Sequence, residues 1–332
     1  MDNAPSRWHV LGAGSLGCLF AAYLQRAGSA LELIVRDEAA LQQLRANGGI
    51  TLTRNEKPRD GKPYADEHAT IAVTATTPNS VQAPITQLLI CTKAQQTLAA
   101  VDAIKSKLAP DVLIVLLQNG MGVRELLQSA LLQHERPHAI MLNALSTEGA
   151  FRSARFHVTH AGYGETVIGS IEPQQQAFAK HAVQALQCEL PIAFAPDIER
   201  RLWLKLGVNS VINPLTAIHR CRNGELLKLD NIESSVAKLC DELAQVARAE
   251  RIDLSAAQLR DEVYRVMRAT AENRSSMLQD IEAGRDTEID FINGFVVQRG
   301  HHHGISCVQH EGLLAAVRTL EHAALEPAPR AP

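Results

Sequence analysis

The chain has 332 residues, a length that suits two domains better than one compact core. Hydrophobic residues make up 46% and charged residues 21%, as in ordinary globular proteins, and a formal net charge of −3 gives no basis for binding nucleic acid or an anionic membrane. No apolar run reaches membrane-spanning length, no N-terminal segment is typical of a secretion signal, and the six cysteines include no CxxC pair, so we expect a cytoplasmic protein with free thiols.

A glycine-rich turn follows the first predicted strand. Trp8–Leu11 is a short apolar strand pattern, and an apolar helix pattern runs on towards Gly28. Between them lies a complete GxGxxG motif, made of Gly12, Ala13, Gly14, Ser15, Leu16 and Gly17. Such glycines allow a tight turn, a close approach of backbone to a pyrophosphate, and packing of the helix on the strand. The motif therefore predicts a dinucleotide site, with a glycine-rich surface turn as the alternative.

The next predicted strand, Leu31–Asp37, bears on the choice of cofactor. Its end lies about 20 residues past the glycines, where NAD-binding folds place an acidic residue on the ribose. Arg36 occupies this position, and a guanidinium there can bind a 2′-phosphate in a bidentate way. The pattern favours NADP. Asp37 directly follows and would serve NAD instead, and a solvated strand-end charge is the alternative for Arg36.

Two further apolar runs, QLLICTK and DVLIVLLQNGMG, are typical of strands in a parallel sheet covered on both faces. They lead into Lys93 and Asn119, and ligands of such sheets bind beyond the carboxyl ends of the strands. Both side chains are therefore candidates for cofactor contacts, although Lys93 also fits an exposed loop lysine. Further on, Phe156–Ser170 predicts a β-hairpin that turns around Gly162–Gly164 and extends the sheet.

The sequence changes character at Pro196. Beyond it we find helical patterns and no strand pattern. We therefore predict an α/β protein in which a Rossmann-type doubly wound sheet domain, residues 1–196, is followed by an all-α domain, residues 197–332. The cofactor cleft at the carboxyl edge of the sheet is expected to face the helical domain.

A polar stripe runs through the first helical pattern. Lys205, Asn209 and Asn213 are four residues apart, which places them on one face of a helix. Asparagine is a poor helix former, and buried amides need partners that a small polar substrate would supply. The alternative is that the amides cap turns or pair inside the helical core. Pro214 is expected to kink or end this helix and to free a backbone carbonyl.

A second polar cluster follows in AENRSSMLQDIEAGRDTEIDFINGF. Ser276 lies in this segment, and Asp286 or Thr287 can cap a helix that begins near Glu288. Helix-start chemistry alone is the alternative for Glu288. The run His301–His303 does not predict a metal site, because consecutive helical residues face different ways.

Together these motifs resemble the ketopantoate reductase (2-dehydropantoate 2-reductase) family over nearly the whole chain. They are VLGAGSLG, CTKA, QNGMG, STEGA, LWLKLGVNSVINPLTAI, NGEL, AENRSSMLQDI and TEIDFINGF, in the family's order. Many dehydrogenases share the glycine loop, whereas the pair KLxxNxxxNPLTA and SSMLQDI…TEID is more specific. The resemblance implies an oxidoreductase that reduces ketopantoate to (R)-pantoate with NADPH, in pantothenate and coenzyme A biosynthesis. It also implies a C-terminal domain like that of 6-phosphogluconate dehydrogenase.

The resemblance assigns roles to single residues. Cofactor binding falls to the loop Gly12, Ala13, Gly14, Ser15, Leu16 and Gly17, and to Arg36, Lys93, Asn119, Ala150 and Glu288. Substrate binding falls to Asn119, Asn209, Asn213, Asn223 and Ser276, and Lys205 matches the catalytic proton donor. Whether Glu288 contacts cofactor or substrate stays open.

Two other functions fit the same sequence. One is a related NADP-dependent dehydrogenase of another 2-keto or hydroxy acid, since the apolar lining of the pocket sets that choice. The other is a non-catalytic NADP(H)-sensing protein. The partner we expect is a small-molecule substrate, and both a monomer and a homodimer remain open.

Overall fold

The structure is a computed structural model that describes residues 7–55, 68–82, 84–133 and 138–325. The chain divides into two compact units, one of Met1–Gln118 with Val123–Ile198 and one of Asn119–Gly122 with Glu199–Pro332. Within the described ranges, no helix is both long and apolar enough to cross a membrane.

The first unit contains all the strands that the structure describes. The strands are β1 (Trp8–Leu11), β2 (Leu31–Ile34), β3 (Ile50–Arg54), β4 (His68–Ile71), β5 (Ala75–Thr76), β6 (Ile85–Ile90), β7 (Leu108–Leu117), β8 (Ile140–Ser146), β9 (Gly149–Ala154), β10 (His157–Gly162), β11 (Thr166–Gly169) and β12 (Ile192–Phe194). The helices are α1 (Ser15–Arg26), α2 (Glu38–Ala46), α3 (Ala94–Asp102), α4 (Val123–Gln133) and α5 (Gln176–Ala185), with short 3-10 helices at Lys105–Lys107 and Pro173–Gln175.

An eight-stranded sheet forms the centre of this unit, in the order β12-β11-β8-β7-β6-β1-β2-β5. The pairs from β5 to β8 are parallel, and β11 joins β8 in antiparallel fashion. The chain builds outwards from β1 in one direction to β2 and in the other from β6, so the strand order reverses between β1 and β6. This reversal is the topological switch point of a doubly wound fold, and the predicted fold class is confirmed.

A second sheet of four strands has the order β4-β3-β10-β9. The predicted hairpin over Phe156–Ser170 is therefore wrong, because β10 pairs with β3 and β9 whereas β11 pairs with β8 and β12. The glycines carry the chain from one sheet to the other. A Cβ at Gly164 would lie 2.4 Å from the backbone of Thr147, so this glycine permits a close backbone approach instead of a hairpin turn.

The strand predicted over Leu31–Asp37 is shorter in the structure. β2 ends at Ile34, and Asp37 is the N-cap of α2, where its side chain accepts a 2.8 Å hydrogen bond from the Ala40 N–H. An aspartate at the N-cap satisfies a helix donor that otherwise has no partner, which explains the early end of the strand.

The second unit is helical in the described residues. Its helices are α6 (Ile198–His219), α7 (Ile232–Ala249), α8 (Ala256–Ala269), α9 (Ser276–Glu282), α10 (Ile289–His302) and α11 (Val308–Leu325), with a 3-10 helix at Asn223–Lys228. They enclose a core in which Trp203 packs edge-to-face on Phe295 at a centroid distance of 5.8 Å. Helix α6 passes through Pro214 and continues to His219, so the proline does not end it.

Candidate active site

The glycine turn joins β1 to α1 beside the switch point. Gly12 has a φ of +103°, and a Cβ there would lie 2.7 Å from the Thr92 side chain. A Cβ at Gly17 would lie 1.8 Å from the Gly12 carbonyl oxygen, whereas one at Gly14 would meet the Cys91 carbonyl oxygen at an ordinary 3.6 Å. The first and third glycines are thus required by the protein itself, and the second leaves room for a ligand.

The N-terminus of α1 is open for an anion. Gly14 is its N-cap and makes no side-chain cap, and the first turn contains no acidic residue. Ala13, Ser15 and Leu16 are half-buried around this N-terminus. Backbone N–H groups and the positive end of the helix dipole favour a phosphate at such a position. The loop therefore fits the pyrophosphate of a dinucleotide.

An arginine that the sequence did not single out lies against this loop. Arg152 on β9 donates a 2.9 Å hydrogen bond from Nη1 to the carbonyl oxygen of Ala13. Ala150, predicted to contact the cofactor through its backbone, is half-buried two residues earlier on the same strand. Residues two apart on a strand share a face, and that alternation is the sequence signal for Arg152.

Arg36 lies just beyond β2, with its side chain 82% exposed. Its Nε donates a 2.9 Å hydrogen bond to Asp37, and Arg155 lies 3.9 Å from the same carboxylate. The backbone hydrogen bond from Ala40, followed by the hydrogen bond from Arg36, lowers the pKa of Asp37. Asp37 therefore uses one oxygen at the α2 N-cap and the other on Arg36, and the two guanidinium groups beside it are charges that favour an added phosphate.

Lys93 follows β6 at the carboxyl edge of the sheet. It is half-buried and occupies the N-cap position of α3. Its neighbour Thr92 accepts a 3.0 Å hydrogen bond at its carbonyl oxygen from the Gln118 amide at the end of β7. This hydrogen bond links the carboxyl ends of β6 and β7.

In the second unit, Lys205, Glu288 and Asn119 form one electrostatic cluster. Burial lowers the pKa of Lys205 to about 8, and the Glu288 carboxylate opposes this by raising it. Glu288 is 8% exposed, is the N-cap residue of α10, and accepts a 3.2 Å hydrogen bond from the Asn119 amide. The cluster holds a cation that can release a proton near neutral pH.

The segment Asn119–Gly122 is fixed on the start of α10. The Met121 N–H donates a 2.8 Å hydrogen bond to the Phe291 carbonyl oxygen, and a Cβ at Gly120 would lie 2.5 Å from that oxygen. Gly120 has a φ of +78°, which glycine adopts without strain. The backbone conformation of the QNGMG motif therefore positions the Asn119 side chain to hydrogen-bond to Glu288.

Asn209 and Asn213 follow Lys205 along α6. Asn213 is 7% exposed and Asn209 is half-buried. Neither side-chain amide hydrogen-bonds to another residue in the part of the chain that the structure describes. Side-chain amides without protein partners are suited to binding a polar ligand.

The remaining two substrate candidates lie near the last turns of α6. Asn223 is 7% exposed, donates from Nδ2 to Thr270 Oγ1 at 2.8 Å, and has an Oδ1 atom without a partner in the described ranges. Ser276 is exposed at the first position of α9, whereas the neighbouring Ser275 caps that helix and accepts a 2.7 Å bond from Thr216 Oγ1. Ser275 is thus structural, and Ser276 is available to a ligand.

Two of the three consecutive histidines lie beside carboxylates of other helices or loops. His301 lies 2.8 Å from Glu311, and His303 lies 2.6 Å from Glu250. The described residues contain no group of three or more His, Cys, Asp or Glu side chains that would hold a metal ion. All six cysteines are free thiols.

The Lys205–Glu288 pair predicts a pH dependence. If the Lys205 ammonium donates the proton in a reduction, the rate falls as pH rises through its pKa of about 8. Glu288→Gln removes the charge that raises this pKa but keeps an oxygen for Asn119. We expect the falling limb of the kcat–pH profile to move to lower pH in this variant. Glu262→Gln, which alters a half-buried carboxylate that pairs with Arg265 on α8, is the control and should leave the limb in place.

Comparisons with known proteins identify close relatives. The family model described as ketopantoate reductase PanE/ApbA matches residues 8–173, and its C-terminal counterpart matches residues 197–321. The 2-dehydropantoate 2-reductase of Vibrio cholerae is 35% identical over 312 residues, covering 94% of this chain and 97% of the relative.

Solved structures of ketopantoate reductases share the fold of this chain. A PanE/ApbA family ketopantoate reductase from Ralstonia eutropha JMP134 is 28% identical, with a TM-score of 0.82 and coverage of 96% of this chain and 100% of the other. D-mandelate dehydrogenase with NADH and anilino(oxo)acetate has a TM-score of 0.85, covers 96% and 99% of the two chains, and at 23% identity shares the fold.

Proposed function

This chain belongs to the ketopantoate reductase family, and on that premise we propose that it reduces ketopantoate to (R)-pantoate with NADPH, a step of pantothenate and coenzyme A biosynthesis. The observation that carries the proposal is the cluster of Lys205, Glu288 and Asn119, in which burial brings the pKa of the lysine to about 8. Binding of NADPH by a sensor requires no proton transfer, so a buried lysine with a pKa near neutral pH favours an enzyme over a sensor.

The reaction needs a hydride at the ketone carbon and a proton at its oxygen. Bound NADPH supplies the hydride. The Lys205 ammonium stabilises the negative charge that develops on the ketone oxygen and delivers the proton. Burial lowers the Lys205 pKa, and Glu288 limits this fall. With a pKa of about 8, most enzyme molecules carry the Lys205 ammonium at neutral pH.

Substrate recognition is assigned to neutral polar groups. Asn209, Asn213, Asn223 and Ser276 would bind the carboxylate and hydroxyl of ketopantoate, with Asn119 at the reacting end. Amides and a hydroxyl bind an anion without adding fixed positive charge, which would lower the Lys205 pKa further. Asn209 and Asn213 have their amides available because neither makes a hydrogen bond to a described residue.

The cofactor is assigned to the first unit. The glycine loop and the N-terminus of α1 would hold the pyrophosphate, and Lys93 and the Ala150 backbone would add contacts. The 2′-phosphate would contact the exposed guanidinium of Arg36, and Arg155 is a second cation near the same position. Glu288 and Asn119, which hydrogen-bond to each other in the second unit, are the remaining residues proposed to bind the cofactor.

Arg36→Ala tests the assignment of the 2′-phosphate. We expect the Kd for NADPH to rise about 10- to 100-fold, because a charge-assisted contact is lost, and the Kd for NADH to change less than about threefold. Fluorescence titration of both cofactors measures the difference. Arg45→Ala, at the other end of α2, is the control and should leave both constants unchanged. Equal weakening of NADPH and NADH would remove Arg36 from the recognition of the phosphate.

The substrate is tested by comparing 2-keto acids. NADPH oxidation is followed with ketopantoate, 2-ketoisovalerate and benzoylformate. All three are 2-keto acids, but 2-ketoisovalerate lacks the hydroxyl group of ketopantoate, and benzoylformate has a phenyl ring in place of its side chain. We expect kcat/KM to be highest for ketopantoate, since a polar pocket discriminates against an analogue that leaves its groups unpaired. A higher kcat/KM for either of the others would assign the chain to a different 2-keto acid.

The setting of the enzyme is part of the proposal. A cytoplasmic location agrees with the six free cysteines, which persist in a reducing compartment. The enzyme would act on its small-molecule substrate as a monomer or a homodimer.

A further inference from the structure

Pro214 leaves a gap in the hydrogen bonding of α6. Proline has no N–H, so the carbonyl oxygen four residues earlier, that of Ser210, loses its helical partner. Ser210 is fully buried, and water cannot replace the missing donor there. A buried carbonyl without a partner is destabilising, so the helix needs another donor at this point.

Asn293 supplies that donor. It lies on α10, is fully buried, and its Nδ2 donates a 3.0 Å hydrogen bond to the Ser210 carbonyl oxygen. The carbonyl that the proline frees is therefore occupied within the protein and is not a ligand for substrate. The bond also fixes the orientation of the amide, because a flipped Oδ1 would face another oxygen.

A histidine extends the network. Asn293 Nδ2 also lies 3.1 Å from His310 Nδ1, and since the amide nitrogen can only donate, Nδ1 is the acceptor. His310 then carries its proton on Nε2 and donates it to the Leu239 carbonyl oxygen at 3.1 Å. Burial keeps His310 in this neutral form by lowering its pKa to about 4. The network thus connects α6, α10, α11 and α7.

The gap lies inside the polar stripe. Ser210 directly follows Asn209, and Asn213 directly precedes the proline, so a shift at the gap would move Asn213 relative to Lys205 and Asn209. Asn293 is also five residues beyond Glu288 on α10, so the same bond ties the helix of the lysine to the helix of its carboxylate.

We propose that Asn293 is a positioning residue for the reaction: its amide replaces the N–H that Pro214 lacks and so holds Lys205, Asn209 and Asn213 in a functional arrangement. The proposal rests on the proposed function, since ketopantoate reduction is its readout. The proposed function and the role of Asn293 are tested separately. Turnover of ketopantoate by the wild-type enzyme tests the function, and variants at Asn293 and Pro214 test the positioning.

The experiment is a double-mutant cycle of Asn293→Leu and Pro214→Ala. Asn293→Leu removes the donor, and we expect kcat/KM for ketopantoate to fall about 10- to 100-fold while the Kd for NADPH changes less than about twofold. Pro214→Ala returns an N–H to position 214, which can bond Ser210 directly. The double variant should therefore recover kcat/KM to within about threefold of Pro214→Ala alone.

Val263→Ala is the matched control for stability. Val263 is a fully buried core residue on α8, so its truncation should lower Tm without changing kcat/KM of the folded enzyme. Wild-type kcat/KM in folded Asn293→Leu, or losses that simply add in the double variant, would overturn the proposal. If Asn293→Leu does not fold, recovery of a folded, active double variant supports the proposal, and a double variant that also fails to fold contradicts it.

Discussion

Replacing Lys205 by alanine is expected to lower kcat by about two to four orders of magnitude while the Kd for NADPH stays within about twofold of wild type. The ammonium is the proposed proton donor and the proposed counter-charge to the developing alkoxide, and both roles disappear together. Steady-state kinetics with ketopantoate and fluorescence titration of NADPH measure the two quantities. The loss should appear in kcat, because the interaction is made in the transition state.

Two further variants make this result specific. Lys238→Ala removes an exposed lysine of α7 and should leave kcat unchanged. Lys205→Arg keeps a positive charge, but the guanidinium titrates far above neutral pH. We therefore expect a low kcat in this variant and a kcat–pH profile that does not fall near the pKa of Lys205. Turnover near the wild-type rate in Lys205→Ala would exclude the lysine from the mechanism.

Gly17→Ala is expected to have the second large effect, this time on the cofactor domain. Its Cβ would lie 1.8 Å from the Gly12 carbonyl oxygen, a distance that the backbone can relieve only by moving α1 away from the turn. We expect a loss of stability of about 1–3 kcal/mol together with weaker NADPH binding. Thermal unfolding without cofactor measures the first, and titration with NADPH the second.

Gly14→Ala is the matched comparison. Its Cβ would meet the Cys91 carbonyl oxygen at 3.6 Å, and Gly14 has a φ of −74° that alanine adopts freely. We therefore expect wild-type Tm without cofactor but a Kd for NADPH that is about 10- to 100-fold higher, because the methyl group occupies the space of the pyrophosphate. Wild-type NADPH affinity in Gly14→Ala would contradict the placement of the phosphates on this loop.

Local steric rules explain why some of the fold was predictable. Gly17 meets the Gly12 carbonyl oxygen within one strand–turn–helix unit, so this part of the motif is local, whereas Gly12 makes room for Thr92 beyond β6. The hairpin over Phe156–Ser170 was wrong because strand pairing is not local. The partners of β10 and β11 lie in different sheets, and the glycine between them serves a backbone contact with Thr147.

The site shows the same division. The spacing of Lys205, Asn209 and Asn213 predicts a shared helix face, and their functional roles stay predictions. Asn293 was missed because its acceptor lies 83 residues earlier and is defined by a proline whose effect on its neighbours depends on packing. Arg152 was missed because strand alternation places it on the same face as Ala150 but does not show that β9 lies against the glycine loop, which is a tertiary contact.

The most direct test of the proposed reaction is product analysis under single-turnover conditions with the enzyme in excess over NADPH and saturating ketopantoate. We expect one (R)-pantoate for each NADPH oxidised, in a step that slows as pH rises through about 8, where Lys205 loses its proton. NADPH that binds and remains reduced in the presence of ketopantoate would contradict it.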